Sequence, residues 1–262
     1  MIHEFNRLEL KYVMPALVRD ALMSELARNV SPDPEGEAGV YRVSSLYYDS
    51  PDLTCYRSKI EGIKFRRKVR IRRYGPPTSD PRCVVMVEIK QRINRTTQKR
   101  RIALPLREAY SLCIGELCKE WSDTTDARVA DEVAFLARTL QLRPSCVVGY
   151  IRQAFVGSRY EPGLRITFDT GLWSSAAGVG LAAATRHAFL PPDWVVMELK
   201  SDRAMPLWVS HLLARHQVAL TRFSKYCEGL EGLMRLGLAD GPGAAGATDD
   251  SDSPTNPEAV HG

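Results

Sequence analysis

Eight stretches of this chain alternate charged and apolar residues with a period of two, and the charged phase is overwhelmingly basic. On the polar phase stand Arg7, Lys11, Arg66, Lys68, Arg70, Arg72, Lys90, Arg92, Lys99, Arg101, Arg152, Arg165 and Lys200. Only Glu9, Glu88, Asp169 and Glu198 oppose them. The residues between are apolar: Leu8 and Leu10, Val69 and Ile71, Val87 and Ile89, Ile102 and Leu104, Ile166 and Phe168, Met197 and Leu199. Successive strand side chains point to opposite faces, so one face of the resulting sheet packs on a core and the other presents cations. Like charges on neighbouring strands repel, so a face of this kind implies an anionic ligand lying among them.

The strands are too closely spaced, and the segments between them too short, for repeated parallel crossovers, which makes the sheet antiparallel. The expected strands are 3–13, 41–48, 65–74, 82–92, 98–105, 144–156, 164–173 and 194–201. Helices are expected after Pro15 with Leu17, Ala21, Leu22 and Leu26 as its apolar stripe, after Pro51 up to Gly62, within 106–140, over 206–216 and from about Ser224 to Leu236. The Gly/Ala-rich interval 174–187 reads as a flexible loop. The fold class is therefore α+β. An open sheet would leave the charged face solvated, whereas closure into a barrel of about eight strands would make that face a lumen and leave the helices to cover the apolar outside.

From Ala239 onward the composition becomes Gly, Ala, Pro, Ser and Asp, an acidic and disordered pattern, so the domain is expected to occupy 1–238 with a tail at 239–262. The formal charge of +5 understates the body, because the tail holds five acids and no Lys or Arg. Six scattered cysteines form no CxxC pair, and no apolar run approaches the roughly 20 residues of a membrane span. A cytoplasmic protein is expected, peripheral to a membrane only through a partner. Neither GxxxxGK[ST] nor GxGxxG before a helix occurs, which removes the commonest nucleotide-binding loops.

Specific strings sharpen this. RLELKY (7–12), SLYYDSPDLTCYRSKIEG (45–62), VRIRRYG (69–75), VEIK (87–90), KRRIAL (99–104), GYIRQAF (149–155), LRITFDTGL (164–172), VMELK (196–200) and RFSKY (222–226) occur in that order. In this the chain resembles the catalytic domain of the vacuolar transporter chaperone family, inorganic polyphosphate polymerases among the triphosphate tunnel metalloenzymes. The resemblance runs from about Phe5 to Leu236. It implies a closed antiparallel β-barrel of about eight strands with helices packed on its outside, forming a basic tunnel in which the terminal phosphate of ATP passes to inorganic polyphosphate with the help of Mn2+ or Mg2+, releasing ADP.

Carried over residue by residue, the resemblance makes Lys11, Arg70, Arg72, Lys90, Arg152 and Lys200 the catalytic cations. Lys99, Arg101, Arg165 and Lys225 become phosphate-binding, and Glu198 the metal ligand; Ser224, before the last helix, is expected to bind phosphate with Lys225 at that helix N-terminus, the alternative being a plain N-cap. It also implies a separately encoded membrane channel subunit as a candidate partner, with nucleic acid not the expected ligand. Glu88 and Asp169 are expected to pair with neighbouring arginines, and Tyr47, Tyr48 and Tyr74 to pack rather than stack on a base.

In hydrolases and cyclases of the same superfamily the first strand reads Glu-x-Glu-x-Lys, whereas here Arg7 stands at the first position, leaving Glu9 and Lys11. Losing one carboxylate weakens a second metal site and favours transfer over hydrolysis. The alternatives are a triphosphatase or nucleotidyl cyclase on the same barrel, and a non-catalytic polyphosphate- or RNA-binding module.

Overall fold

A computed structural model describes residues 8–94, 96–116, 121–183, 185–202 and 204–241. Arg7 and most of the acidic tail lie outside the described residues. In chain order the elements are β1 (Leu8–Pro15), α1 (Ala16–Leu26), β2 (Val30–Pro32), β3 (Val40–Asp49), α2 (Thr54–Ile60), β4 (Phe65–Tyr74), β5 (Val84–Ile93), β6 (Thr96–Pro105), α3 (Leu106–Cys113) and α4 (Thr124–Thr139). There follow β7 (Arg143–Gly157), β8 (Arg165–Ala176), a 3-10 helix (Ala177–Ala182), β9 (His187–Ala188), β10 (Trp194–Ser201), α5 (Leu207–Arg215) and α6 (Lys225–Arg235).

Every pairing is antiparallel, and the eight principal strands run in the order β1-β10-β8-β7-β3-β4-β5-β6, with β2 beside β7 and β9 beside β8. The expected closed barrel is corrected here. Among the described residues β1 and β6 are edges that share no ladder, so the sheet is an open, curled half-barrel. A barrel closes only when tilt and stagger bring its two edges to the roughly 4.8 Å spacing of paired strands. Instead, long side chains reach across the seam: Lys90 Nζ of β5 donates to both carboxylate oxygens of Glu9 on β1, each at 3.1 Å.

The period of two delivers two cores on the convex face. Leu46, Tyr48, Val69, Ile71, Val87, Ile89 and Ile102 pack beneath α3 and α4, while Met14, Ile166, Phe168, Met197 and Leu199 pack beneath α1 and α5. Within α1 the buried residues are Leu22 and Leu26; Leu17, expected on the apolar stripe, is 82% exposed, and Ala21 is exposed as well. The interval expected to be a flexible loop continues β8 as far as Ala176, and Leu181 and Ala183 beyond it are buried against the first core.

One helix departs from the expectation that all cover the outside. α6 lies within the curl, where Tyr226, Leu230 and Leu233 pack against Val43, Tyr47, Val148, Tyr150 and Val196 of the concave face. Each such buried side chain contributes roughly 1.5–3 kcal/mol. Gly229 permits the approach, because a Cβ there would stand 3.0 Å from Val148 and 3.2 Å from Ser174. The concave face is thus divided: one half is apolar and covered by α6, the other is charged and open.

Candidate functional site

The open half of the curl is a cavity of about 1090 Å³. Thirteen Lys and Arg side chains line it, against two carboxylates, Glu9 and Glu198, and this imbalance makes it a site for an anion. The alternation of β4 aims Arg66, Lys68, Arg70 and Arg72 inward. Lys11 enters from β1, Lys90 and Arg92 from β5, Arg152 from β7 and Lys200 from β10. Ser224 caps α6, its hydroxyl accepting from the Cys227 amide at 3.4 Å, and this turn delivers Lys225.

Glu198 is the electrostatic centre. Lys225 lies 2.7 Å from it, Lys11 and Lys200 each 3.4 Å, and Arg152 3.8 Å. Burial by itself would raise its carboxyl, but Lys11, Lys225, Lys200 and Arg152 together hold it well below the usual carboxylate range. Behind it, Arg152 grips Asp169 through two bonds of 2.7 and 2.8 Å, and Lys225 reaches the same carboxylate at 2.6 Å. Such a fork fixes the plane of the guanidinium as well as its charge.

On the opposite wall, fully buried Glu88 accepts from Arg70 at 2.8 and 2.6 Å, pairs with Lys99, and stands 3.9 Å from Arg72. Arg72 also donates to Ser45 Oγ at 3.0 Å and to the Tyr150 hydroxyl at 3.3 Å; Arg70 donates to the Tyr47 hydroxyl at 3.0 Å. The expectation that Glu88 and Asp169 orient neighbouring arginines agrees with this geometry. Burial pushes the amines of Lys99 and Lys200 down to about 8, against the opposing pull of Glu88 on the first and of Glu198 and Glu9 on the second.

The structure therefore brings together Lys11, Arg70, Arg72, Lys90, Arg152, Lys200, Glu198, Ser224 and Lys225 around one cavity. It does not bring Arg101 or Arg165 to that lining. Arg101 is exposed on the edge strand β6, and Arg165 pairs with Asp33 at 2.8 Å and the Tyr41 hydroxyl at 2.9 Å. Lys99 enters only through Glu88. Tyr47 stacks on Tyr226 with centroids 4.9 Å apart, Tyr48 is buried in the convex core, and Tyr74 meets Tyr41 edge-on.

Several lining residues were not singled out from the sequence. Lys59 lies in the last turn of α2, Lys64 in the α2–β4 connection and Arg222 in the segment before α6, where no strand periodicity marks them, while Tyr150 shares the parity of Arg152 on β7. Glu9 was legible as one of the four carboxylates on the basic phase and as the surviving carboxylate of the first strand. Among the described residues no three His, Cys, Asp or Glu side chains converge as a metal cage. Glu9 and Glu198 instead share Lys11, at 3.5 and 3.4 Å, and both face the cavity.

A profile described as the VTC domain matches residues 6–234. Two curated relatives are named vacuolar transporter chaperone complex subunit 4. The Trypanosoma cruzi protein is 26% identical over 227 residues and the Trypanosoma brucei brucei protein 25% over 222, covering 73% and 72% of this chain. In each case the chain spans 28% of the length of the relative it matches. Among solved structures, a candidate adenylate cyclase from Bacillus halodurans superposes with a TM-score of 0.49 at 13% identity, over 84% of this chain and 95% of the other. A candidate adenylyl cyclase from Hippeastrum, described as having a dominant triphosphatase activity, gives the same score and identity over 86% and 96%.

Proposed function

This chain belongs to the VTC domain family, and from that membership we propose that it is an inorganic polyphosphate polymerase, transferring the terminal phosphate of ATP to a polyphosphate chain. One observation carries the reading: seven inward cations from five strands and one helix, Lys11, Arg70, Arg72, Lys90, Arg152, Lys200 and Lys225, surround one cavity and converge on ionised carboxylates. Phosphoryl transfer needs in-line positioning and stabilisation of charge on the transferring oxygens, with little covalent help. Arg70, Arg72 and Arg152 offer planar forks for pairs of phosphate oxygens, while Lys11, Lys200 and Lys225 offer point charges.

The step balances without a proton. A terminal oxygen of the acceptor chain, already anionic, forms the new bond to the γ-phosphorus of ATP. The bond from that phosphorus to the bridging oxygen breaks, and ADP leaves with the electron pair. Hydrolysis would instead need a group to take a proton from water. Each of Glu9, Glu88, Asp169 and Glu198 is within ion-pair distance of at least two cations, so none stands ready as that base. This favours transfer over a triphosphatase.

The donor set suits a hard divalent ion that arrives with its phosphate. Mg2+ and Mn2+ take oxygen ligands and are commonly held by one or two carboxylates plus substrate phosphates. Glu198, with Glu9 beside it, would supply those carboxylates. When bound, the ion would neutralise charge on bridging phosphate oxygens. Lys99 would act by holding Glu88 in place, and Arg101 and Arg165 would meet the phosphate chain only outside the centre.

The relatives are named as subunits of a complex, and a separately encoded membrane channel subunit remains our proposed partner. Among the described residues no helix is long and apolar enough to cross a membrane. A body ending near Leu238, with an appended acidic tail, is likewise our proposal for the domain.

The test is incubation of the purified protein with ATP and Mn2+. Chains that an exopolyphosphatase degrades are expected; phosphate release without polymer would overturn the reading in favour of a triphosphatase, and inertness towards every nucleotide in favour of a binding module. Glu198→Gln should abolish synthesis, and a variant that still makes polymer at the native rate would remove Glu198 from the metal site.

A further inference from the structure

The cavity's cations fall into two populations. Those around Glu198, Glu88 and Asp169 are ion-paired, whereas Lys59, Lys64, Arg66, Lys68, Arg92 and Arg222 line the cavity and, among the described residues, form no ion pair. Their hydrogen bonds go to neutral groups: Arg66 to the Ile63 carbonyl at 2.6 Å, Arg92 to the Asn94 carbonyl at 2.9 Å, and Lys68 to Ser224 Oγ at 3.3 Å. The β4–β5 register sets Arg66 across from Arg92 and Lys68 across from Lys90, and like charges so placed destabilise each other until an anion lies among them.

The chain itself carries such an anion. Between Pro242 and Gly262 stand Asp249, Asp250, Asp252 and Glu258, with no Lys or Arg. The point from which this segment departs is fixed. Gly237, at a φ of 68°, lets the Leu238 amide donate back to the Leu233 carbonyl at 2.9 Å, which turns the chain off the axis of α6, and Ala239 then packs against the concave-face core. The eleven residues of α6 span about 16 Å. Its first residue, Lys225, lines the cavity, with Lys68 and Arg222 at the same end of the helix. From Gly241 to Asp249 is eight residues, an extended reach of about 26 Å. Asp249, Asp250 and Asp252 can therefore return the full length of α6 to the unpaired cations.

We propose that the acidic segment 242–262 occupies this end of the cavity, its carboxylates lying among the six unpaired cations, and that it must be displaced before a phosphate chain engages there. Tethering holds the carboxylates at an effective concentration on the order of 1 mM without a second molecule. Four carboxylates are spread over residues 249–258, whereas a phosphate chain is charged at every unit, so the segment yields to polyphosphate and holds off sparser anions. Restraint of synthesis by the segment rests on the polymerase reading, while its place in the cavity rests on the cations alone.

The experiment uses the full chain. A carbodiimide joins a lysine amine to a carboxylate as an amide, the water lost passing to the reagent, and peptide mapping should find Asp249, Asp250 or Asp252 joined to Lys59, Lys64 or Lys68 within one molecule. Excess tripolyphosphate should suppress those links. In Asp249→Asn/Asp250→Asn/Asp252→Asn/Glu258→Gln, tripolyphosphate should bind about threefold or more tighter at about 50 mM salt, and the difference should vanish near 1 M salt, where the screening length is about 3 Å. Asp249→Glu/Asp250→Glu/Asp252→Glu/Glu258→Asp keeps the charges and should bind as the wild type does, which separates charge from any other effect of the replacements.

The absence of such links from the monomer, or links that tripolyphosphate leaves untouched, would overturn the assignment, as would equal affinity in the wild-type and neutralised chains at low salt. Links confined to crosslinked dimers would give the carboxylates to a second copy and overturn it likewise. Intramolecular links and tightened binding in a protein that makes no polymer from ATP would keep the segment in the cavity and overturn the polymerase reading alone.

Discussion

Replacing Glu88 by glutamine tests whether one carboxylate holds the wall of the cavity together. Its side chain is wholly buried and compensates three cations: Arg70 through two contacts of 2.8 and 2.6 Å, Lys99, and Arg72 at 3.9 Å. Glutamine keeps the shape and removes the charge, leaving those cations facing one another across β4 and β6. Breaking a buried ion pair from one side costs about 3–5 kcal/mol. Lys99 is 38% exposed and can turn to water, which places this variant at about 3 kcal/mol, the lower end of that range.

At about 2–4 °C per kcal/mol for a chain of this size, Tm should fall by about 6–12 °C, read by calorimetry or urea melts. Tripolyphosphate should then recover part of the loss. At 100 times Kd a ligand stabilises by about 2.7 kcal/mol, and at equal free concentration the variant should gain more than the wild type, because the anion replaces the missing charge. A Tm within about 2 °C of wild type, or equal gains with tripolyphosphate, would refute the reasoning. Unchanged stability with lost synthesis would instead assign Glu88 to the reaction.

Other outcomes are expected from the same geometry. Because Lys200 and Lys99 titrate near 8, below their ordinary 10.5, tripolyphosphate affinity should weaken as pH rises through 8, and Lys200→Arg should flatten that dependence. Between 8 and 10.5 the unfolded chain carries more protons at these two sites, so their contribution to stability should rise with pH while affinity falls, a divergence that melts and titrations can read together. Glu9, Glu88, Asp169 and Glu198 are all held below their usual range despite burial, so the stability they contribute is present above pH 4.5 and should be lost progressively on acidification. Asp49→Asn should cost about 2–3 kcal/mol. That carboxylate accepts from the Cys55 and Tyr56 amides at 2.8 and 2.9 Å and from the Tyr226 hydroxyl at 2.6 Å, and native-state proteolysis should find α6 loosened. Gly149→Ala would drive a methyl into the Trp173 indole and should destabilise by about 3 kcal/mol or more in a urea melt.

Much of this protein is local in origin. A period of two over Phe65–Tyr74 decides by itself that Val69 and Ile71 face a core while Arg66, Lys68, Arg70 and Arg72 share the other face, because side-chain direction in a strand depends only on parity. The same logic marked Lys11, Lys90, Arg152, Glu198 and Lys200, and the polar turn at Ser224 announced the helix that carries Lys225. Parity, however, says nothing about partners at the edges. Whether β1 meets β6 depends on tilt and stagger accumulated over eight strands, and here the sum leaves a seam that Lys90 and Glu9 bridge with side chains. Nor could an amphipathic stripe reveal which surface α6 would cover. It lies inside the curl because the concave face has an apolar half, contributed by four separate strands, that only exists once they are assembled. Lys64 and Arg222 joined the site for the same reason: loop residues have no period, and their charge acquires a role only from what folding places beside it. The basic face was written in the chain; how it opens, and which of its cations remain unpaired, was decided in three dimensions.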